Sequence, residues 1–566
     1  MAQHDVVIRA GTVIDGTGAA ARTADVAIYG GRIVEVGRVS GAGRREIDAA
    51  GALVTPGFVD IHTHYDGQAT WASRMAPSCY HGVTTAVMGN CGVGFAPVRT
   101  RDHGLLVELM EGVEDIPGAA LHEGLSWEWE SFPDFLDYLA PRQFDIDVAA
   151  QLPHAAMRVF VMGERGANRE PANADDLAAF QRITAEAMRA GAIGFTSSRS
   201  LNHRSSRGAP TPSLTAEHDE LVAIARGLRD AGRGVLEFIS DFVDLDYEFG
   251  LLRAMVRESG RPLSLSLAQG LSPNGWRTVM DRIEAANAEG LTIRGQVAPR
   301  PIGVLLGLTT RLNPFTTRPS FSEIARLPLT ERVNALRDPA RRERILREET
   351  SPGFQRLFRM MAGLEKVWVL GDPPNYEPDP ADSIAARARR QGRDPFDFAL
   401  DVLLEREGRQ ILFMPFANYA DNNLDCCRDM LLSPWTVPGL GDGGAHVGTI
   451  CDASFTTTLL THWGRDRTRG ELIDLPTLIK RQTHDTARAV DLNDRGTLEP
   501  GMKADVNVID FANLRICAPE MVNDLPAGGA RLEQKSEGYL VNVVSGEVTY
   551  ERGEATGALP GRLVRG

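Results

Sequence analysis

Short apolar runs alternate with polar positions at both ends of the chain. Asp5-Val6-Val7-Ile8-Arg9, Ala24-Asp25-Val26-Ala27-Ile28 and Arg32-Ile33-Val34-Glu35-Val36 carry the period-two pattern of strands, separated by glycine-containing turns. Ala504-Asp505-Val506-Asn507-Val508-Ile509-Asp510 and Tyr539-Leu540-Val541-Asn542-Val543-Val544 repeat it near the other end. This predicts one β-domain assembled from residues 1–56 and 495–566, with residues 57–494 inserted between its halves.

The middle of the chain has a different rhythm, in which apolar strand-like runs precede helix-like stretches of roughly 10–20 residues. Nine runs qualify as strands: 53–62, 84–88, 147–152, 192–196, 234–239, 262–267, 291–297, 411–416 and 437–441. Strand and helix in repetition predict an α/β fold with a parallel sheet, and an eight-stranded (β/α)8 TIM-type barrel is the leading choice. One of the nine candidates then lies outside the barrel. Residues 303–408 hold arginine-rich helical stretches and several prolines, and are expected to form an insertion or a lid over the barrel mouth.

Composition narrows the classes. Of the 566 residues, 43% are hydrophobic and 24% charged, which excludes a disordered chain. The formal net charge of −14 argues against a sequence-independent grip on nucleic acid. No apolar run reaches about 18 residues, so no membrane span is expected. Met1-Ala2-Gln3-His4-Asp5 lacks the layout of a signal peptide, and six irregularly spaced cysteines do not make a disulfide framework. The expectation is a cytoplasmic enzyme with a small-molecule substrate, and association into a homo-oligomer is left open. The only lysines are Lys366, Lys480, Lys503 and Lys535, which excludes any mechanism needing a lysine in the first 365 residues.

Two stretches carry candidate chemistry. Pro56-Gly57-Phe58-Val59-Asp60-Ile61-His62-Thr63-His64 is an apolar strand ending in His-x-His. Alternate residues of a strand share a side, so His62 and His64 can reach one metal ion, and barrel enzymes place catalytic residues at strand ends. Gly439-Leu440-Gly441-Asp442-Gly443-Gly444-Ala445-His446 sets an aspartate among glycines at another strand end, suited to be ligand and proton acceptor, although Asp-Gly also makes plain turns.

Together with Val7 to Gly18, Gly89-Asn90-Cys91-Gly92-Val93-Gly94-Phe95-Ala96-Pro97 and Gly496 to Asp505, these stretches make the chain resemble the amidohydrolase superfamily, and within it the N-acyl-D-amino-acid deacylase (D-aminoacylase) branch. The resemblance implies a barrel with a β-domain, and zinc or another divalent transition metal held by His62, His64, Asp442 and the branch's cysteine, Cys91. It also implies histidines at the ends of strands five and six. The best register puts Phe238 and Leu267 there, with Gln269 in place of a lysine and no clamping arginine evident in 447–457. One metal per chain is therefore expected. Glu237, Asp241 and His154 are alternative extra ligands, each with a structural reading beside it. The polar loop after strand four offers Arg199, Arg204 and His203 as substrate contacts, and His446 is a candidate contact for the oxyanion. Trp127 and Trp129 are rim or packing residues. The expected activity is hydrolysis of a C–N bond, an amide of an N-acyl-amino-acid-like small molecule, with Asp442 as base. A cyclic-amide or deaminase-type hydrolase would use the same groups, and a metal-poor ligand-binding member without turnover is the rival from another class.

Overall fold

The computed structural model describes residues 2–270, 272–349, 361 and 363–566. Eight strands form one all-parallel sheet in chain order: Phe58–Asp60, Val83–Met88, Asp147–Pro153, Gly194–Arg199, Val235–Ser240, Leu263–Ser266, Ile293–Val297 and Thr436–Pro438. The sheet curls until its first and last strands meet. Asp442 N donates to His62 O at 3.0 Å and His64 N to Gly443 O at 2.7 Å, just beyond the carboxyl ends of both strands. This join brings the two sequence stretches with candidate chemistry side by side.

Local sequence explains the helices packed outside. Ala174–Ala190 starts at Asn173, whose side chain accepts from Asp176 N while the Asp176 carboxylate accepts from Asn173 N, a reciprocal cap. Phe180, Ile183, Ala187 and Met188 recur at helical spacing and form its buried face. They join a continuous apolar cluster with sheet residues such as Phe195 and Leu236.

The ninth candidate strand lies outside the barrel. Ile411–Ala417 pairs antiparallel with Ile302–Gly307 and Trp368–Val369 in a separate three-stranded sheet. Helices Leu329–Arg337, Pro339–Arg347 and Pro395–Gly408 pack there around a second apolar cluster that includes Leu306, Phe315, Leu336 and Leu403. The run 53–62 is two strands. Leu53–Pro56 belongs to a mixed sheet, and after Gly57 the chain enters the barrel at Phe58.

That mixed sheet has nine strands and is built from both chain ends. Val506–Ile509 lies between Leu53–Pro56 and Tyr539–Val544, antiparallel to each. The alternating apolar positions Val6, Ile8, Val26 and Ile28 meet Val506, Val508 and Val543 in one apolar cluster. Farther along, Val564 N donates to Val148 O at 2.7 Å, so the final stretch also holds the third barrel strand.

Asp147, at the start of that strand, is 3% exposed and is held by three C-terminal groups. Arg495 Nη1 lies 2.7 Å and Lys503 Nζ 3.1 Å from its carboxylate, and Arg562 N donates to it at 3.0 Å. Removing one partner of a buried pair leaves the other charge uncompensated. Arg495→Ala should therefore cost about 3–5 kcal/mol in chemical denaturation, reduced to the extent that Lys503 compensates. A loss within experimental error would show that Arg495 adds nothing to this join.

Candidate metal centre

His62 and His64 follow the first strand and are both 1% exposed. Their ligand atoms and Cys91 Sγ lie within 4.8 Å of one another, the one such group of three among the described residues. His62 Nε2 is 3.4 Å from Cys91 Sγ and 3.4 Å from Asp442 Oδ1, and His64 Nε2 is 3.6 Å from the same carboxylate oxygen. The other nitrogen of His62, Nδ1, lies 2.8 Å from Gln296 Oε1, and Gln296 Nε2 donates to Ser264 Oγ at 2.9 Å. This chain of bonds fixes the proton on Nδ1 and turns the Nε2 lone pair toward the cluster, as an outer partner of a metal-ligating histidine does.

Local backbone explains how Cys91 arrives there. Gly89 has φ 87° and Gly92 φ 68°. A Cβ on Gly89 would stand 2.3 Å from Gln151 O, and one on Gly92 2.9 Å from Ser197 Cα, so only glycine lets the segment lie on strands three and four. Asn90 between them donates to Thr63 O at 3.0 Å and accepts from Gln151 Nε2 at 2.9 Å. Cys91, Asp442 and His446 themselves hold φ of 55°, 46° and 51°. Left-handed backbone at residues other than glycine costs about 1–3 kcal/mol each and persists where the surroundings impose it.

Electrostatics match the geometry. Burial pushes the pKa values of His62, His64 and His446 down, which keeps the imidazoles in the neutral form that binds metal. Burial opposes ionisation of Asp442; the hydrogen bond from His64, with whatever positive charge His62, His446 and His64 carry, outweighs that and holds this carboxyl below its usual range. Burial, with Glu114, Glu237 and Asp442 nearby, pushes the Cys91 thiol well up. A cation at the cluster would reverse that and favour the thiolate. Two imidazoles, a thiol and a carboxylate are a donor set suited to zinc. His64 Nε2 is buried with the Asp442 carboxylate 3.6 Å away, and Nδ1 is turned to Glu114 at 3.4 Å, so one nitrogen of the ring is available to an ion.

Two residues escape a reading of the sequence alone. Glu114 ends the helix His103–Glu114 and is 1% exposed. Its Oε1 lies 3.4 Å from His64 Nδ1 and its Oε2 3.7 Å from His446 Nε2. A carboxylate at a helix C-terminus opposes the helix dipole, and that mismatch is its one signal. Gln296 has none. Strand five also differs from its expected register. Glu237, not Phe238, faces Cys91 and Asp442, while Phe238 lies in the main apolar cluster. Among the described residues no arginine pairs with Glu237; its carboxylate faces the Cys91 backbone N–H, and burial raises its pKa strongly.

The other candidates fall into two groups. His446 and His203 line the same cavity of ≈1330 Å³ as His62, Cys91 and Asp442. His203 Nδ1 lies 2.8 Å from Ser198 Oγ, and burial lowers its pKa to about 3. Arg199 is turned away, with its guanidinium donating to Ala216 O at 2.7 Å and resting over the Tyr247 ring. Arg204 staples its own loop through Leu201 O and Gly208 O. Both His154 nitrogens are taken, by Ser197 Oγ and Glu220 Oε1 at 2.8 Å each. Asp241 accepts from Ser200 Oγ at 2.9 Å and Leu201 N at 2.8 Å, anchoring the loop that carries His203. Trp129 is a packing residue that donates to Phe95 O at 2.8 Å. Among the described residues no helix is long and apolar enough to cross a membrane.

Comparison with known proteins places the chain in a family and a fold. The model of the amidohydrolase family matches residues 45–550. An N-acyl-D-glutamate deacylase of Alcaligenes xylosoxydans xylosoxydans is 28% identical over 526 residues, covering 89% of this chain and 87% of the relative. A crystal structure of D-aminoacylase superposes with a TM-score of 0.65 at 23% identity, covering 99% of this chain and 100% of that one. N-acyl-D-glutamate deacylase from Bordetella bronchiseptica, solved with zinc and a phosphonate mimic of the tetrahedral intermediate, gives a TM-score of 0.63 at 23% identity with both chains covered completely. At these identities the structural likeness speaks for the fold.

Proposed function

The chain belongs to the amidohydrolase family, and from that premise we propose that it hydrolyses the amide bond of an N-acyl-amino-acid-like small molecule, with one divalent ion, zinc by its donor set, held by His62, His64, Cys91 and Asp442. The observation that carries this is the convergence of Cys91 Sγ and Asp442 Oδ1 on His62 Nε2, each at 3.4 Å, at the floor of an open cavity. When bound, the ion supplies a Lewis acid that acidifies water and polarises a carbonyl.

The chain's own groups do the rest. Asp442 accepts the proton of the attacking water and returns it to the leaving nitrogen, a role open to a carboxylate at the cavity floor. Gln296 keeps His62 in one tautomer. His446, 4.0 Å from Asp442, and His203, which lines the same cavity, would contact the carbonyl oxygen and the leaving group. Burial raises the carboxyl pKa values of Glu114 and Glu237.

Elemental analysis of the purified protein should find about one tightly held divalent ion per chain, and chelation should abolish turnover on a panel of N-acyl amino acids and cyclic amides. Two fully occupied ions would defeat the single-site reading and would recruit Glu114 or Glu237 as ligands. A protein that takes up no ion would instead be the ligand-binding member without turnover.

A further inference from the structure

We propose that the cavity selects acyl amides whose amine portion is apolar and uncharged, an inference that rests on the amide-hydrolase reading above. The cavity that the metal-ligating cluster lines is also lined by Ile239, Phe242, Leu245, Leu267, Trp276 and Val279, which form an apolar wall. These come from the ends of strands five and six and from the first turns of the helices that follow. At ≈1330 Å³ the space exceeds what a small acyl group fills, and the amine side of the substrate is assigned to this wall as part of the proposal. An alkyl or aryl group placed there trades water for apolar contact and gains. A free carboxylate placed there loses its water and meets no lysine or arginine among the described lining residues, only neutral hydroxyls such as those of Ser266 and Thr278.

Of the charged groups in the lining outside the proposed ligand set, Asp241 is acidic, and none of the described residues is lysine or arginine. Basic side chains behind the lining are committed elsewhere. Arg199 serves Ala216 O, and Arg300 is buried against Cys451 O, Asp452 and Ser454. Gln269, next to the lining residue Ala268, is fully buried, donating to Asp421 Oδ2 at 2.8 Å and accepting from Ala420 N at 2.9 Å. Matching substrates are acylated arylalkylamines, acylated amino acids with a blocked carboxyl group, and apolar cyclic amides.

A matched pair of non-hydrolysable probes tests this. N-(2-phenylethyl)methanesulfonamide and N-methylsulfonylphenylalanine differ only by the carboxylate. Titration calorimetry with the zinc-loaded native protein should show the uncharged probe binding at least tenfold more tightly than either enantiomer of the acid. Equal or tighter binding of the acid, or failure of both to bind, would overturn the inference. Turnover of the corresponding N-acetyl compounds is read separately. If the binding order holds and neither acetamide is hydrolysed, the cavity preference stands and the hydrolase reading falls.

Discussion

An Asp442→Asn protein should turn over its amide substrate roughly 10²–10⁴-fold more slowly than the native protein, the usual contribution of a positioned acid–base group. The fold should survive. Asp442 holds φ 46°, a conformation that asparagine tolerates better than most residues. The backbone bonds from Asp442 N to His62 O at 3.0 Å and from Ala445 N to Asp442 O at 3.0 Å do not involve the side chain. What disappears is the negative charge 3.4 Å from His62 and 3.6 Å from His64, and with it the base. Metal content after dialysis should fall together with the rate, while the far-ultraviolet circular dichroism stays the same. If Asp442 only shaped the turn, asparagine would be silent in both readouts. Unchanged turnover of any hydrolysed amide would sink the mechanism.

A chain ended after residue 490 should yield no soluble, folded protein. It loses Val506–Ile509, the strand lying between Leu53–Pro56 and Tyr539–Val544, so the edge of Leu53–Pro56 is left unpaired. It loses Leu498, Val506, Val508, Val541, Val543 and Val548 from the apolar cluster of the mixed sheet. At about 1.5–3 kcal/mol for each buried side chain, that amounts to on the order of 10 kcal/mol, comparable with the whole stability of a typical domain. It also strips Arg495, Lys503 and Arg562 from the buried Asp147. Soluble yield and circular dichroism measure the outcome, and a well-folded, active truncation would refute this account of the join.

The parts of the fold legible in the sequence are those with a strong local pattern. The terminal strands alternate valine and isoleucine with polar residues, so their shared sheet follows from pattern alone. The barrel strands stand out as apolar runs before helices. Ile411–Ala417 looks like one of them because a short apolar run does not say whether its neighbours will be parallel or antiparallel. The strand-five register differs by one residue from the one the resemblance implies, and in a strand that exchanges the two faces: the resemblance puts Phe238 toward the site, where the folded chain puts Glu237. At the site, His62, His64, Cys91 and Asp442 are marked by motifs. Glu114 reaches His64 from a helix end 50 residues away, and Gln296 reaches His62 from strand seven, contacts set by the closing of the sheet and written in no local pattern.

The sheet shared by both ends also sets a timetable for synthesis. Pro56 and its register partner Val506 are about 450 residues apart, so at ~5–20 residues per second the ribosome needs roughly 20–90 s between them. For that interval the nascent Leu53–Pro56 strand has one side without its partner, in a chain whose barrel segments are already emerging. Slowly closed, long-range pairing of this kind exposes edges to other nascent chains. Cellular yield of this protein is therefore expected to depend on chaperones that shelter the early strands, and to rise when they are supplied in excess.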